Sequence, residues 1–167
     1  MNKNHLAFLG AALALALTPA AARAAGTHAG DHGESATHTH HAAAPVGRPG
    51  DAAKVARTID MVLGDDMRFA PATVEVKAGQ TVRFRIRNAG QVRHEMVIGS
   101  LDELKAHAAQ MRAHPGMVHA EPNQVNLAPG QRGTLVWRFD QPGQVDFACT
   151  EPGHLEAGMV GKVRVTR

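Results

Sequence analysis

The amino-acid sequence predicts an all-β domain, a sandwich or a small barrel, interrupted by one helix. Three observations carry this. Apolar and polar residues alternate with period two in several short runs. Glycine and proline punctuate the gaps between those runs. One segment, SLDELKAHAAQMRAH, switches to a helical period.

The clearest runs lie in TVEVKAGQTVRFRIRN. Val74 and Val76 alternate with Glu75 and Lys77, and Gly79 marks a turn. Val82, Phe84 and Ile86 then alternate with Arg83, Arg85 and Arg87. Two neighbouring, half-buried antiparallel strands are expected. The arginine row is open to two readings, a solvated face with cross-strand partners or a docking patch for an acidic partner. The helical segment begins at Ser100 with Glu103 three residues on, the spacing of a capping box. Leu101, Leu104, Ala108 and Met111 share one stripe, and Pro115-Gly116 ends it. Alternation resumes in Leu135, Trp137 and Phe139, and again in Val145, Phe147 and Cys149; Val163 and Val165 close the chain.

Upstream of residue 54 the composition changes. Lys3, the apolar run Leu6 to Leu17 and the small-x-small triplet Ala22-Arg23-Ala24 read as a signal peptide over 1–24. Export to the periplasm is the expectation, with a soluble, monomeric mature protein. Residues 25–53 are rich in Ala, Gly, Pro and polar residues without apolar period, so a disordered segment is expected there. The folded domain is then 54–167. Removing Lys3 and Arg23 lowers the basic count from 18 to 16 against 15 acidic residues, a net charge of +1. Nothing in that balance calls for nucleic acid.

Eleven histidines and seven methionines in 167 residues point towards metal. The single cysteine, Cys149, stands in CTEPGHLEAGM, with His154 and Met159 on the same loop. A lone cysteine is a buried structural residue, a nucleophile or a metal ligand. A nucleophile needs a base and a substrate cleft, of which the sequence gives no further sign. Thiolate and thioether are soft donors and imidazole is borderline, so Cys, two His and a weak Met suit copper cycling between Cu(I) and Cu(II). The best candidate for the second histidine is His94 in NAGQVRHEMVIG, after the arginine strand and before an apolar one.

With those residues in view, the chain resembles the cupredoxins, the type 1 copper proteins. MRFAPATVEVKAGQTVRFRIRNAGQVRHEMVIG resembles the family's N-terminal half and FACTEPGHLEAGMVGKVRV its C-terminal half. Periplasmic copper-resistance cupredoxins of the CopI type are the most similar. The resemblance implies a Greek-key β-sandwich, one type 1 copper held by His94, Cys149, His154 and Met159, and His154 as electron port. It departs from many electron carriers at Glu95, where Asn or Ser directly follows the first histidine. A carboxylate buried against a thiolate is costly, so the Glu95 side chain is expected to point away and bond elsewhere.

Four protein ligands leave no open position for substrate, so a copper-binding electron-transfer protein is expected rather than an enzyme, with oxidation of copper itself left open. A dinuclear oxidase centre needs a second cysteine, and a multicopper oxidase has histidines where Ala148 and Thr150 flank Cys149. Two functions remain: copper tolerance, or one-electron carriage between respiratory partners. Further donors bear on the choice. His28, His32, His38, His40 and His41 crowd fourteen residues of the N-terminal segment. They are a metal-binding tail or incidental histidines of a solvated linker. His107, Met111, His114, Met117 and His119 form either a second, weaker copper site suited to Cu(I) or a core methionine among surface histidines.

Overall fold

Period-two alternation becomes pleated strand wherever one face can be buried. The computed structural model describes residues 46–116 and 120–167. The expected signal peptide, the five histidines from His28 to His41, and Met117 and His119 lie outside the described residues. In chain order the elements are β1 (Arg48–Pro49), a 3-10 turn (Ala52–Lys54), β2 (Val55–Gly64), β3 (Arg68–Ala70), β4 (Thr73–Lys77), β5 (Thr81–Asn88) and β6 (His94–Gly99). The helix α1 (Leu101–Ala113) follows, then β7 (Gln124–Leu127), β8 (Arg132–Arg138), β9 (Gly143–Ala148) and β10 (Val160–Thr166).

The strands form two five-stranded sheets, ordered β1-β8-β5-β2-β3 and β4-β10-β9-β6-β7. Their inner faces share one core. Ile59, Met61, Leu63, Val82, Phe84, Ile86, Leu135 and Trp137 come from the first sheet. Val74, Val76, Met96, Ile98, Val145, Phe147, Val163 and Val165 come from the second. Phe69 meets Phe147 edge-on, with ring centroids 5.0 Å apart. The Phe147 ring lies over Gly161 on the paired strand, where an added Cβ would come within 2.2 Å of it.

The two runs expected to pair with each other do not. β4 pairs with β10 and β5 with β2, both in parallel, and β5 pairs with β8 antiparallel. The turn between them changes sheet rather than making a hairpin. Ala78 N–H donates to Thr166 O and Gly79 N–H to Phe139 O, and Gly79 sits at φ +82°, where a side chain would be strained. The arginine face is mostly partnered. Arg85 holds Asp60 with two bonds of 2.8 and 2.7 Å, and Arg83 donates to Ala52 O.

α1 has the expected capping box, with Ser100 N–H donating to Glu103 Oε2 (2.8 Å) and Glu103 N–H to Ser100 Oγ (3.3 Å). Its buried stripe is Leu104, Ala108 and Met111; Leu101 is 46% exposed and does not join it. The first helical turn stands clear of the sheet at that position. Leu104 packs with Val97 and Ala148 on the outer face of the second sheet. β6 is consequently buried throughout its length.

The fold also begins upstream of Lys54. β1 pairs with β8 in the register Arg48–Arg138 and Pro49–Trp137, and Trp137 Nε1–H donates to Val46 O at 2.8 Å. The polar, Pro/Gly-rich composition hides this because the segment contributes mainly backbone pairing, with the Val46 side chain packed against the core. A chain starting at Lys54 should therefore be less stable than one starting at Val46 by about 1–3 kcal/mol, since a buried indole N–H loses its acceptor. Denaturant unfolding of the two metal-free chains measures this, and equal midpoints would contradict it.

Candidate metal centre

The centre is assembled at one end of the second sheet from two segments. The first follows β5. Asn88 is fully buried; its Nδ2 donates to Val92 O (2.7 Å) and Leu127 O (3.0 Å), and its Oδ1 accepts from Gly90 N–H (2.9 Å). These bonds close the turn and deliver His94, also fully buried, as the first residue of β6.

The second segment runs from Cys149 to Met159. The alternation of Val145, Phe147 and Cys149 carries the thiol to the inner face at the end of β9. The loop then closes on itself: His154 N–H donates to Glu151 O, Met159 N–H to His154 O, and Cys149 N–H to Met159 O, each at 3.0 Å. Gly153 and Gly158 both adopt φ +88°, which lets the chain turn twice within six residues. Cys149 and Met159 are fully buried, while His154 is half-buried.

The donors converge. Cys149 Sγ lies 3.2 Å from His154 Nδ1 and 4.0 Å from His94 Nδ1. The two rings are 4.9 Å apart at 49°. Among the described residues, His94, Cys149 and His154 form a group whose donor atoms all lie within 4.8 Å of one another, a spacing one first-row ion can bridge. One thiol and two imidazoles, with a thioether on the same loop, fit copper by donor softness.

Electrostatics speaks against one of the readings left open for the cysteine, the nucleophile. Burial pushes the Cys149 thiol up to about 12, against the smaller opposing effect of the Glu95 and Glu151 backbone N–H groups. Such a thiol is protonated at neutral pH and is no activated nucleophile; a metal ion is what would displace its proton. Burial, then the nearby His94, pulls His154 below the ordinary imidazole range, which favours the neutral, ligating ring.

Glu95 is fully buried, and its carboxylate does turn from the sulfur. β6 and β9 pair Val97 with Ala148, and the same register carried two residues on sets Glu95 opposite Thr150. Side chains alternate faces, so Glu95 and Thr150 share the outer face while Cys149 points inward. Glu95 Oε1 accepts from Thr150 N–H at 3.1 Å and also from the Thr150 hydroxyl. The part of Glu95 that faces the Cys149 sulfur is its backbone N–H, at 3.4 Å. The effect is a side-chain bridge between the strand bearing His94 and the loop bearing Cys149.

Sequence reasoning missed Asp65, in the turn between β2 and β3. Its Oδ1 lies 3.1 Å from His94 Nε2, and its carboxylate accepts from the N–H groups of Gln91 (2.7 Å) and Val92 (3.4 Å). These bonds, Gln91 foremost, hold its carboxyl below the usual range despite some desolvation. Asp65 is 29 positions from His94 in the chain, and the only local signal is the turn-like Gly64-Asp65-Asp66.

Three of the accessory candidates lie among the described residues. Met111 is 3% exposed on the buried stripe of α1, His107 is half-buried, and His114 is exposed at the C-terminal cap.

Known proteins agree with this geometry. The family description "Copper binding proteins, plastocyanin/azurin family" matches residues 55–166. The chain is 51% identical over 137 residues to the copper-resistant cuproprotein CopI of Rubrivivax gelatinosus, covering 81% of this chain and 83% of that protein. To the protein of the same name from Pseudomonas aeruginosa it is 34% identical over 148 residues, covering 71% and 81%. Dithionite-reduced auracyanin from Roseiflexus castenholzii superposes with a TM-score of 0.58 at 24% identity, covering 68% of this chain and 99% of that one. Auracyanin B gives 0.59 at 24%, covering 72% and 96%. These structures speak for the fold, and the sequence relatives for the family. With two packed β-sheets and a converging His–Cys–His cluster, this chain belongs to the plastocyanin/azurin family of copper-binding proteins, and its cofactor is copper.

Proposed function

We propose that His94, Cys149, His154 and Met159 hold one type 1 copper and that the protein serves copper tolerance in the periplasm through a redox-active site. The observation that carries this is the convergence of buried His94 and Cys149 with half-buried His154, with Met159 tied by its backbone to both Cys149 and His154. Bound copper supplies a one-electron Cu(II)/Cu(I) couple. The chain's part is to hold the four side chains on paired strands and a self-bonded loop, to keep water from three of them, and to leave the half-buried His154 as the edge through which electrons pass. Four protein donors leave no open position for a substrate. Tolerance is preferred because the relatives at 51% and 34% identity are copper-resistance proteins by name. Export rests on the signal-peptide pattern of residues 1–24; no helix among the described residues is long and apolar enough to cross a membrane.

One-electron carriage is the second reading, and one observation favours it. Arg87 and Arg132 lie side by side on the first sheet, both exposed, and neither has an ion pair among the described residues. An acidic redox partner suits such a pair. Deleting the gene separates the readings. Lost growth on copper with respiration intact supports tolerance; unchanged tolerance with a lost respiratory activity supports carriage.

Mature protein loaded with Cu(II) should show strong visible thiolate-to-copper absorption. Cys149→Ser should abolish it, because a hydroxyl does not replace a thiolate donor; retained colour would refute the assignment. Met159→Leu should keep the copper and shift the midpoint potential, since the thioether is the weak ligand. We further propose that the N-terminal histidines bind metal weakly and that Met117 and His119, with His107 or His114, offer a Cu(I) site. Metal counting on a chain starting at Val46 tests the latter. A second Cu(I) equivalent, lost when Met117 and His119 are replaced, is expected. One copper under both oxidising and reducing conditions would exclude it.

A further inference from the structure

The turn between β2 and β3, together with the first residue of β3, reaches both ligand segments. Arg68 Nη1 donates to the carbonyls of Ala157 (3.2 Å) and Gly158 (3.4 Å), the two residues before Met159. Asp65 Oδ1 meets His94 Nε2 at 3.1 Å on the other segment. The Asp65 side chain is 40% exposed, while the ring it holds has no exposure.

We propose that Asp65 is a positioning residue of the copper centre, fixing the ring of His94 and tilting the balance between the two copper oxidation states towards Cu(II). The inference rests on the ligand role proposed for His94. A neutral imidazole carries one proton, and an ionised carboxylate only accepts. The proton therefore sits on Nε2, which leaves the Nδ1 lone pair on the side of Cys149 Sγ, 4.0 Å away. A backbone carbonyl would orient the ring equally well. A carboxylate adds a full negative charge behind it, and that charge favours the more highly charged ion. Partial exposure screens this effect without removing it.

The sequence makes room for the contact. A Cβ on Gly90 would come within 1.9 Å of Asp65 Oδ1 and 2.6 Å of its Cγ, and the nearest atoms it would meet all belong to Asp65. Gly90 does not use the left-handed backbone region, so alanine is conformationally allowed there. Gly90→Ala should displace the Asp65 carboxylate without removing any polar group of the site.

The experiment compares full-length mature wild type with Asp65→Ala, Asp65→Asn and Gly90→Ala. Cu(II) and Cu(I) affinities, midpoint potential and visible spectrum are measured, and long-range proton–nitrogen NMR reads the His94 tautomer in metal-free protein. Asp65→Ala and Gly90→Ala should bind Cu(II) about 10- to 100-fold more weakly with Cu(I) less affected, so the potential rises. Both should also lose the pure Nε2–H tautomer. Asp65→Asn keeps an acceptor but not the charge, so its spectrum should stay near wild type while its potential rises. If Asp65→Ala does not fold, the other two variants decide. Unchanged potential and Cu(II) affinity in the folded variants overturns the proposal. Absence of the visible band in wild type would instead overturn the ligand assignment beneath it.

Discussion

The backbone hydrogen bond from Cys149 N–H to Met159 O holds the ends of the Cys149–Met159 loop together, and much of the candidate centre depends on it. It joins the end of β9 to the residue before β10, so the loop between two paired strands cannot drift from the sheet. The bond from Met159 N–H to His154 O then fixes the half-buried histidine to the same frame. Three donors of different softness are thereby set by main-chain geometry, which side-chain motion alone cannot undo. The two positive-φ glycines are the local condition for that closure.

Around this loop the polar contacts are arranged by face. Inner-face residues of β6 and β9 converge at the sulfur; outer-face residues bridge the same strands through Glu95 and Thr150. The helix between β6 and β7 covers that outer face, with Leu104 against Val97 and Ala148. This explains how a carboxylate can be buried one residue from His94. It lies across the sheet from the thiol and accepts two hydrogen bonds there. The inserted helix thus has a structural role at the site, since without cover the outer face of β6 would meet water.

A thiol raised by burial to about 12 and an imidazole lowered by burial mark a pocket built for neutral donors in the absence of metal. Binding then couples to proton loss, as thiolate sites generally do. The same desolvation that disfavours the bare thiolate strengthens its bond to a cation once formed. Asp65, itself partly exposed, meets the fully buried ring of His94 at 3.1 Å.

Much of this was legible in the sequence alone, wherever local pattern is the cause. Period-two alternation announced the strands, because a sheet face is buried or exposed residue by residue. Ser100 and Glu103 announced the helix start, because capping is satisfied within four residues. Cys149, His154 and Met159 sit within eleven residues, so their donor chemistry and spacing could be read directly. Tertiary structure decided what depends on segments distant in the chain. Whether β4 and β5 pair was one such question, since the alternation that makes a strand does not name its neighbour. The share of Val46–Ala53 in the fold was another, because backbone pairing leaves no mark in composition. Asp65 beside His94 was the third: a carboxylate in a turn looks solvated until folding brings an imidazole 29 positions away to within 3.1 Å.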